Sequence, residues 1–235
     1  MRSEGELGHG EPDFSFVDAF LRFRGDTRRL GHKISAIEAS FSGLTGQQAA
    51  SGAALVGLTS ELLTSAYFVK MLSSQVDVVL HASGIVTSLP LILGPEERIA
   101  FLSLGAGNTN RDFDLTTNLQ VAEFKFINWR GADAVRQDNL VIDIFNLDQF
   151  ETSRRKVVYL FDASIPTRWL QSSRRKTRSV LGRKAGLPAR FDTIYGPNRF
   201  EHVYEYWEFA RNGVEIVDLM DIMPDFRQAI LDPLS

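Results

Sequence analysis

The sequence contains no cysteine and few histidines, and both shortages restrict the chemistry open to it. Without cysteine the chain has no disulfide, no thiol nucleophile and no thiolate ligand for zinc. The histidines form neither an HxxxH nor an HxH pair, because they are far apart at His9, His32, His81 and His202. Since zinc sites are built from cysteine and closely spaced histidine, the sequence predicts no zinc site.

Long apolar runs are also lacking. The nearest approach to one is VDVVLHASGIVTSLPLIL at residues 76–93, which Asp77, His81 and Pro90 interrupt. That pattern is typical of a protein core rather than of a membrane span. The beginning of the chain, MRSEGELGHGEPD, is acidic and glycine-rich, without the basic start and apolar stretch of a signal peptide. We therefore expect a cytoplasmic protein with no membrane partner.

The motifs of several large enzyme classes do not occur. The chain has no GxSxG, Walker A or HExxH pattern, so serine hydrolase, P-loop and zinc protease chemistry lack their minimum parts. The stretch GAGNTN at residues 105–110 contains GxG, but it runs into a predicted strand instead of a helix. Dinucleotide binding is therefore not expected.

Lysine is scarce, and the basic residues are unevenly distributed. The chain has six lysines among its 26 basic residues. Residues 151–190 hold 11 basic and two acidic residues, a charge of +9, whereas the whole chain carries −3 and the remainder therefore −12. A basic segment on an acidic protein suits contact with a phosphate backbone. A solvated helical face or a docking site for an acidic protein would have the same composition.

Residue spacing predicts a helical first part and a sheet after it. Residues 13–44 contain two helical patterns separated by Gly25-Asp26, and residues 45–72 a third, interrupted near Gly57 with a new start at Glu61 that Thr59-Ser60 can cap. The following elements are predicted as strands over residues 98–105, 111–117, 119–127, 155–162 and 214–220, and helices over 133–147, 166–186, 197–213 and the C-terminal residues.

This order predicts an α/β protein with a central mixed β-sheet flanked by helices and a helical N-terminal extension. The strand at 155–162 follows a helical crossover, which favours a parallel neighbour. We expect one domain over residues 1–235. Its parts are an extension at 1–58, a sheet core at 59–165, and a basic helical segment with a C-terminal helix-strand-helix at 166–235.

The predicted hairpin RDFDLTTNLQVAEFKFINWRG, residues 111–131, has more charge than a buried hairpin needs. A tight turn at Asn118-Leu119 places Asp114 opposite Glu123 and Asp112 opposite Lys125. Because strand side chains alternate between faces, these four charged side chains share one face. The other face is predicted to carry Phe113, Ala122, Phe124 and Phe126.

Two carboxylates directly opposite each other repel unless a cation lies between them. Oxygen ligands without histidine or cysteine favour a hard cation such as Mg²⁺, with Mn²⁺ as a substitute. Such an ion supports hydrolysis of phosphodiesters, and Lys125 on the same face could position water or neutralise charge on the phosphate. The alternative is a cross-strand ion pair of Asp112 and Lys125 on a solvated sheet face, which contributes roughly 0.2–1 kcal/mol.

The arrangement of these residues resembles the PD-(D/E)xK nuclease superfamily. Over residues 60–162 the order is helix, strand, strand with Asp114, strand with Glu123-x-Lys125, helix and strand, although Phe113 stands where the family name has proline. The resemblance implies a restriction-endonuclease-like core. It also implies that Asp114 and Glu123 bind Mg²⁺ and that Lys125 assists the attacking water. Many members add a glutamate on the first core helix and a glutamine after the lysine, for which Glu61 and Gln137 are the candidates.

Other residues support this hypothesis less directly. Gln137 shares a helical stripe with Val141 and Ile144 that turns toward the sheet, while Glu61 is equally well explained as a first-turn acid favoured by the helix dipole. Trp129 is equally well explained by packing. The residues predicted to contact nucleic acid are Trp129, Arg130, Arg136, Arg174, Arg175, Lys176 and Arg178.

The sequence thus predicts a Mg²⁺-dependent nuclease that hydrolyses phosphodiester bonds, with DNA as its expected substrate, as an endonuclease or exonuclease. The alternative is an inactive nuclease-fold protein that binds nucleic acid or an acidic protein partner. The sequence leaves strandedness, specificity and oligomeric state, including a homodimer, open.

Overall fold

The computed structural model of the chain describes residues 15–25, 29–105, 113–127, 129 and 134–231. Contacts within the chain divide it into two compact units, Met1–Asp77 and Val78–Ser235. This division falls inside helix α4, Ser60–Ile92, whereas the sequence predicted one domain whose extension ends at residue 58.

The first unit is helical. Its elements are α1 (Ser15–Arg24), α2 (Leu30–Phe41), α3 (Gly46–Leu55) and the beginning of α4. A capping box starts α3, because Thr45 accepts a hydrogen bond from the Gln48 N–H while the Gln48 side chain accepts one from the Thr45 N–H. At Gly57 the backbone has φ +80°, and Thr59 Oγ1 then accepts from the Leu62 N–H at 3.1 Å. The predicted interruption near Gly57 and cap at Thr59 are confirmed.

Helix α4 has 33 residues and is apolar on most of its surface. Among the described residues it is the one helix long and apolar enough to cross a membrane, judged by length and composition alone, which is weak evidence. In the second unit one face of α4 packs on the sheet through Ile85 and Leu89. On other faces Val79 and Val86 are exposed. In the second unit, the stretch predicted as core therefore contributes one face to the core and exposes others.

The second unit contains a five-stranded mixed sheet flanked by helices. Its strands are β1 (Ile99–Leu102), β2 (Leu115–Thr117), β3 (Gln120–Lys125), β4 (Arg155–Leu160) and β5 (Glu215–Asp218), in spatial order β1-β2-β3-β4-β5. β1, β2 and β3 pair antiparallel, and β3, β4 and β5 pair parallel. Helix α5 (Ala134–Gln149) makes the crossover between β3 and β4. The predicted α/β class and the parallel pairing after the crossover are confirmed.

The hairpin of β2 and β3 has the predicted register. Leu115 pairs with Ala122 and Thr116 with Val121, around a turn at residues 118–119. Continued by one residue, this register puts Asp114 opposite Glu123.

The two faces of the sheet pack against different helices. Val121 and Val158 lie in the core on the α5 side, whereas Ala122 and Phe124 lie in the core on the α4 side. Phe113 was predicted beside Ala122, and this is wrong, because it packs in the α5-side core and edge-on against Phe150 with ring centroids 4.9 Å apart. Since β2 begins only at Leu115, alternation between faces does not extend back to Phe113.

The remaining helices differ from the predicted boundaries. They are α6 (Ser164–Ser172), α7 (Thr177–Leu181), α8 (Leu187–Tyr195), α9 (Val203–Ala210), α10 (Leu219–Ile222) and α11 (Pro224–Leu231). The helical stretch predicted over residues 166–186 is divided into α6 and α7, because Ser173 is extended and Lys176 forms a backbone bridge with His202. The helix expected after Pro197 begins only at Val203, where Glu205 closes a capping box with His202.

Candidate active site

Asp114 directly precedes β2, and two neighbours orient its carboxylate. Oδ2 accepts a hydrogen bond from the Phe124 N–H at 2.9 Å, and Oδ1 lies 3.7 Å from Nε2 of His81 on α4. The His81 ring also packs edge-on against Phe126. Burial alone would raise the pKa of Asp114, but hydrogen bonds from His81 and Phe124 and the charge of Lys125 lower it from its ordinary value. Asp114 is therefore ionised at neutral pH.

Lys125 lies between two carboxylates on the α5 side of the sheet. Its Nζ is 3.3 Å from Glu123 Oε2 and 3.1 Å from Asp143 Oδ2, and Asp143 comes from α5. The three side chains are only 13–22% exposed. Burial would lower the pKa of Lys125, yet Asp143 and Glu123 raise it above its ordinary value, so this lysine stays charged.

The carboxyl groups of Glu123 and Asp143 are both strongly influenced by burial. Burial, together with the charges of Asp143 and Asp114, raises the pKa of Glu123 to about 8 against the opposing charge of Lys125. Burial also raises the pKa of Asp143 above its ordinary value, against the charges of Lys125 and Lys184. The cluster therefore holds more carboxylates than cations, which is the electrostatic condition for binding a further positive ion.

The donor set tests whether these residues fit a metal ion. Asp114 and Glu123 offer hard carboxylate oxygens from paired positions, as Mg²⁺ and Mn²⁺ prefer. In the part of the chain that the structure describes, no group of three acidic, histidine or cysteine side chains could hold a metal. The residues fit an ion held by two carboxylates, because Mg²⁺ usually keeps several waters and takes further oxygens from a phosphate.

The two supporting residues from the resemblance lie in different places. Gln137 is buried on α5 along with Val141 and Ile144, as the stripe predicted. Glu61 belongs to the first unit, where its exposed carboxylate lies 3.4 Å from Arg22 Nη2. It stands in the first turn of α4, where the helix dipole favours an acid.

The residues predicted to contact nucleic acid lie in different environments. Asp112, expected opposite Lys125, and Arg130 lie outside the described residues. Trp129 is 4% exposed and packs in the α5-side core, so its ring is not presented to a base. Arg136 is exposed on the first turn of α5.

The basic segment is held in ion pairs along much of its length. Arg178 pairs with Asp192, and Lys176 lies 3.6 Å from Glu201. Arg175 pairs with the buried Asp138 of α5. These are three of the four residues predicted between 174 and 178 as phosphate contacts. The fourth, Arg174, is exposed and forms no salt bridge with another described residue. Part of the charge of +9 is thus locally compensated.

Sequence reasoning missed His81 and Asp143. The signal for Asp143 was present, because it is the single acid in the apolar run LVIDIF, and a buried carboxylate requires a partner. His81 likewise interrupts the apolar stretch at 76–93, but the search for paired histidines passed over it.

Comparisons with known proteins add no family to this description. No protein-family model matches the chain, and we found no significantly similar curated protein or solved structure.

Proposed function

We propose that the chain is a Mg²⁺-dependent nuclease with a restriction-endonuclease-like core of the PD-(D/E)xK kind, which hydrolyses phosphodiester bonds in DNA. The observation that carries the proposal is the hairpin register, which pairs Leu115 with Ala122 and, continued by one residue, sets Asp114 opposite Glu123. Lys125 stands two residues further along β3. The crowding of carboxyl groups also supports it, because the charges of Asp143 and Asp114 act against ionisation of Glu123 and a bound cation would offset them.

The topology also supports the proposal. An antiparallel hairpin carries the acidic residues, helix α5 crosses over, and β4 returns parallel to β3. This is the order of elements on which the resemblance rests. The charged residues stand near the C-terminal end of β3, which leads to the crossover.

Each residue of the cluster has a role in this reaction. Asp114 and Glu123 would hold Mg²⁺, which when bound supplies positive charge beside the phosphate and makes water a better nucleophile. Glu123 must lose its proton to act as a ligand. Lys125 can donate hydrogen bonds to a phosphate oxygen or to the attacking water, and Asp143 holds its ammonium in that position.

The test is cleavage of plasmid, linear and branched DNA with Mg²⁺ or with a chelator. We expect cleavage with Mg²⁺, none with chelator, and a loss of about 100-fold or more in Lys125→Ala and Glu123→Gln. Lys70→Ala removes the same charge from an exposed site and is expected to keep full activity. Cleavage that survives both Lys125→Ala and chelator contradicts the proposal.

A second candidate is a protein of the same fold that binds nucleic acid, or an acidic protein, without cutting. It is favoured by the two salt bridges that engage Lys125 and by the absence of a third metal ligand among the described residues. Salt-sensitive binding of DNA without cleavage, unchanged in Glu123→Ala, would select it. No affinity for nucleic acid at low salt would instead favour the acidic protein. A cytoplasmic location is a prediction shared by both candidates.

A further inference from the structure

A buried carboxylate on α5 holds two arginines from the basic segment. Asp138 has a side chain that is 2% exposed and pairs with both Arg175 and Arg183. Arg175 Nη2 lies 3.1 Å from Asp138 Oδ2, and Arg183 Nε lies 2.5 Å from the same oxygen. These bonds fix both guanidinium groups, although Arg175 precedes α7 and Arg183 follows it.

The charges of this group do not cancel. One carboxylate faces two guanidinium groups, so a positive charge remains, and the arginine side chains are 36% and 42% exposed. A guanidinium has five N–H donors, and the bonds to Asp138 leave donors of Arg183 free to reach solvent. Rigid, half-exposed arginines with surplus charge are suited to bidentate binding of phosphate.

The group and the candidate active site share helix α5, which carries both Asp138 and Asp143. Asp138 and Asp143 are five residues apart on α5, which corresponds to about 7.5 Å along the helix axis. Lys184, which follows Arg183, is exposed, and its charge acts on the Asp143 carboxyl.

We propose that Arg175 and Arg183, both held by Asp138, form a phosphate clamp together with Lys184 that binds the nucleic-acid backbone next to the scissile phosphate. The inference rests on the proposed function for its substrate class. It replaces Lys176 and Arg178 as the main backbone contacts.

Arg178 is a matched control within the same segment. It belongs to α7 and loses the same unit of charge on substitution. Its guanidinium, however, pairs one-to-one with Asp192, whose side chain is 20% exposed, so no surplus positive charge remains there. A segment that acted only through its total charge would not distinguish Arg178 from Arg183.

The experiment measures binding of fluorescein-labelled duplex and single-stranded oligonucleotides to the full chain in chelator, over a series of salt concentrations. We expect Arg183→Gln and Lys184→Gln each to weaken binding about 5- to 20-fold and to reduce the slope of log K against log salt by about 1. Arg178→Gln is expected to change affinity less than about 2-fold. Thermal melts check that each variant is folded, and Lys184→Gln decides the question if Arg183→Gln unfolds.

Three outcomes overturn the clamp. The first is that the wild-type chain shows no salt-dependent binding, and the second is that the clamp variants match Arg178→Gln. The third is that polyglutamate competes as well as DNA of equal charge, which would indicate an acidic protein partner. Because this experiment measures binding and not cleavage, it distinguishes failure of the clamp from failure of the nuclease proposal. Failure of the nuclease proposal alone would give clamp-dependent binding of DNA without any Mg²⁺-dependent cleavage.

Discussion

The ammonium group of Lys125 lies 3.1 Å from the carboxylate of Asp143, and this salt bridge joins strand β3 to helix α5. Lys125 also lies 3.3 Å from Glu123 on its own strand. Because the four-carbon side chain of lysine is flexible, a single partner would leave its ammonium free to move. Two partners on different elements hold it at one point of the site.

The salt bridge predicts the behaviour of Asp143→Asn. Losing the carboxylate leaves Lys125 with Glu123 alone, so the ammonium is held less accurately and kcat is expected to fall about 10- to 100-fold with little change in KM. Asp143→Glu should restore part of the activity, which a purely structural role would not require. Asp192→Asn, at the surface pair with Arg178, is the control. Unchanged kcat in Asp143→Asn would contradict this role.

The raised pKa of Glu123 predicts a stability that depends on pH. The folded pKa is about 8 and the ordinary value is 4.5, so between these limits the folded state binds more protons than the unfolded state. The free energy of unfolding therefore falls as pH rises from about 4.5 to about 8. Glu123→Gln cannot ionise and is expected to be more stable than the wild type by about 2–4 kcal/mol at pH 9, with little difference at pH 4.5.

Urea unfolding at pH 4.5, 7 and 9 in chelator measures this difference. Glu215→Gln, at an exposed carboxylate 2.7 Å from Arg155 Nη2, is the control and should follow the pH profile of the wild type. Parallel profiles for Glu123→Gln and the wild type would show that Glu123 is not held neutral.

The same carboxyl group couples Mg²⁺ to pH. Glu123 must release its proton to become a ligand, so the rise in Tm on adding Mg²⁺ is expected to grow between pH 6.5 and 8.5. The rise should disappear in Glu123→Gln and in Asp114→Asn. Differential scanning fluorimetry with Mg²⁺ and Mn²⁺ provides the measurement, and an equal rise in both variants would place the ion elsewhere.

The absence of a side chain at Gly84 allows α4 to approach the sheet closely. A Cβ at this position would lie 2.3 Å from Cε1 of Phe126, a ring packed on His81. Gly84→Ala is expected to lower stability by about 1–3 kcal/mol and to reduce activity, because a displaced Phe126 also shifts His81 and the carboxylate of Asp114. The matched change Gly52→Ala meets no atom nearer than 3.7 Å and should stabilise α3 by roughly 0.5–1 kcal/mol. Equal effects of the two changes would contradict the close approach.

The part of the site that is local in sequence could be predicted. The turn at residues 118–119 and the two-residue period of strands set the register, so the pairing that puts Asp114 opposite Glu123 followed from the sequence. The start of α4 followed in the same way from Thr59. The prediction failed outside the regular strand. Phe113, two residues before β2, lies on the face opposite to the expected one.

The partners that complete the site are distant along the chain. His81 approaches Asp114 from α4, Asp143 approaches Lys125 from α5, and Arg175 reaches Asp138 over 37 residues. No spacing rule connects such pairs, because the rotation of each helix about its axis is determined by how its apolar face packs on the sheet.

The sequence by itself therefore determined the α/β class, the hairpin and its three central charged residues, because these depend on local periodicity and turn chemistry. Only the tertiary structure decided which charges are compensated. Packing of α5 against both the sheet and α7 gives Lys125 a second carboxylate and gives Asp138 two arginines. The physical reason is that burial makes each unpaired charge costly, so side chains brought together by the core must balance one another.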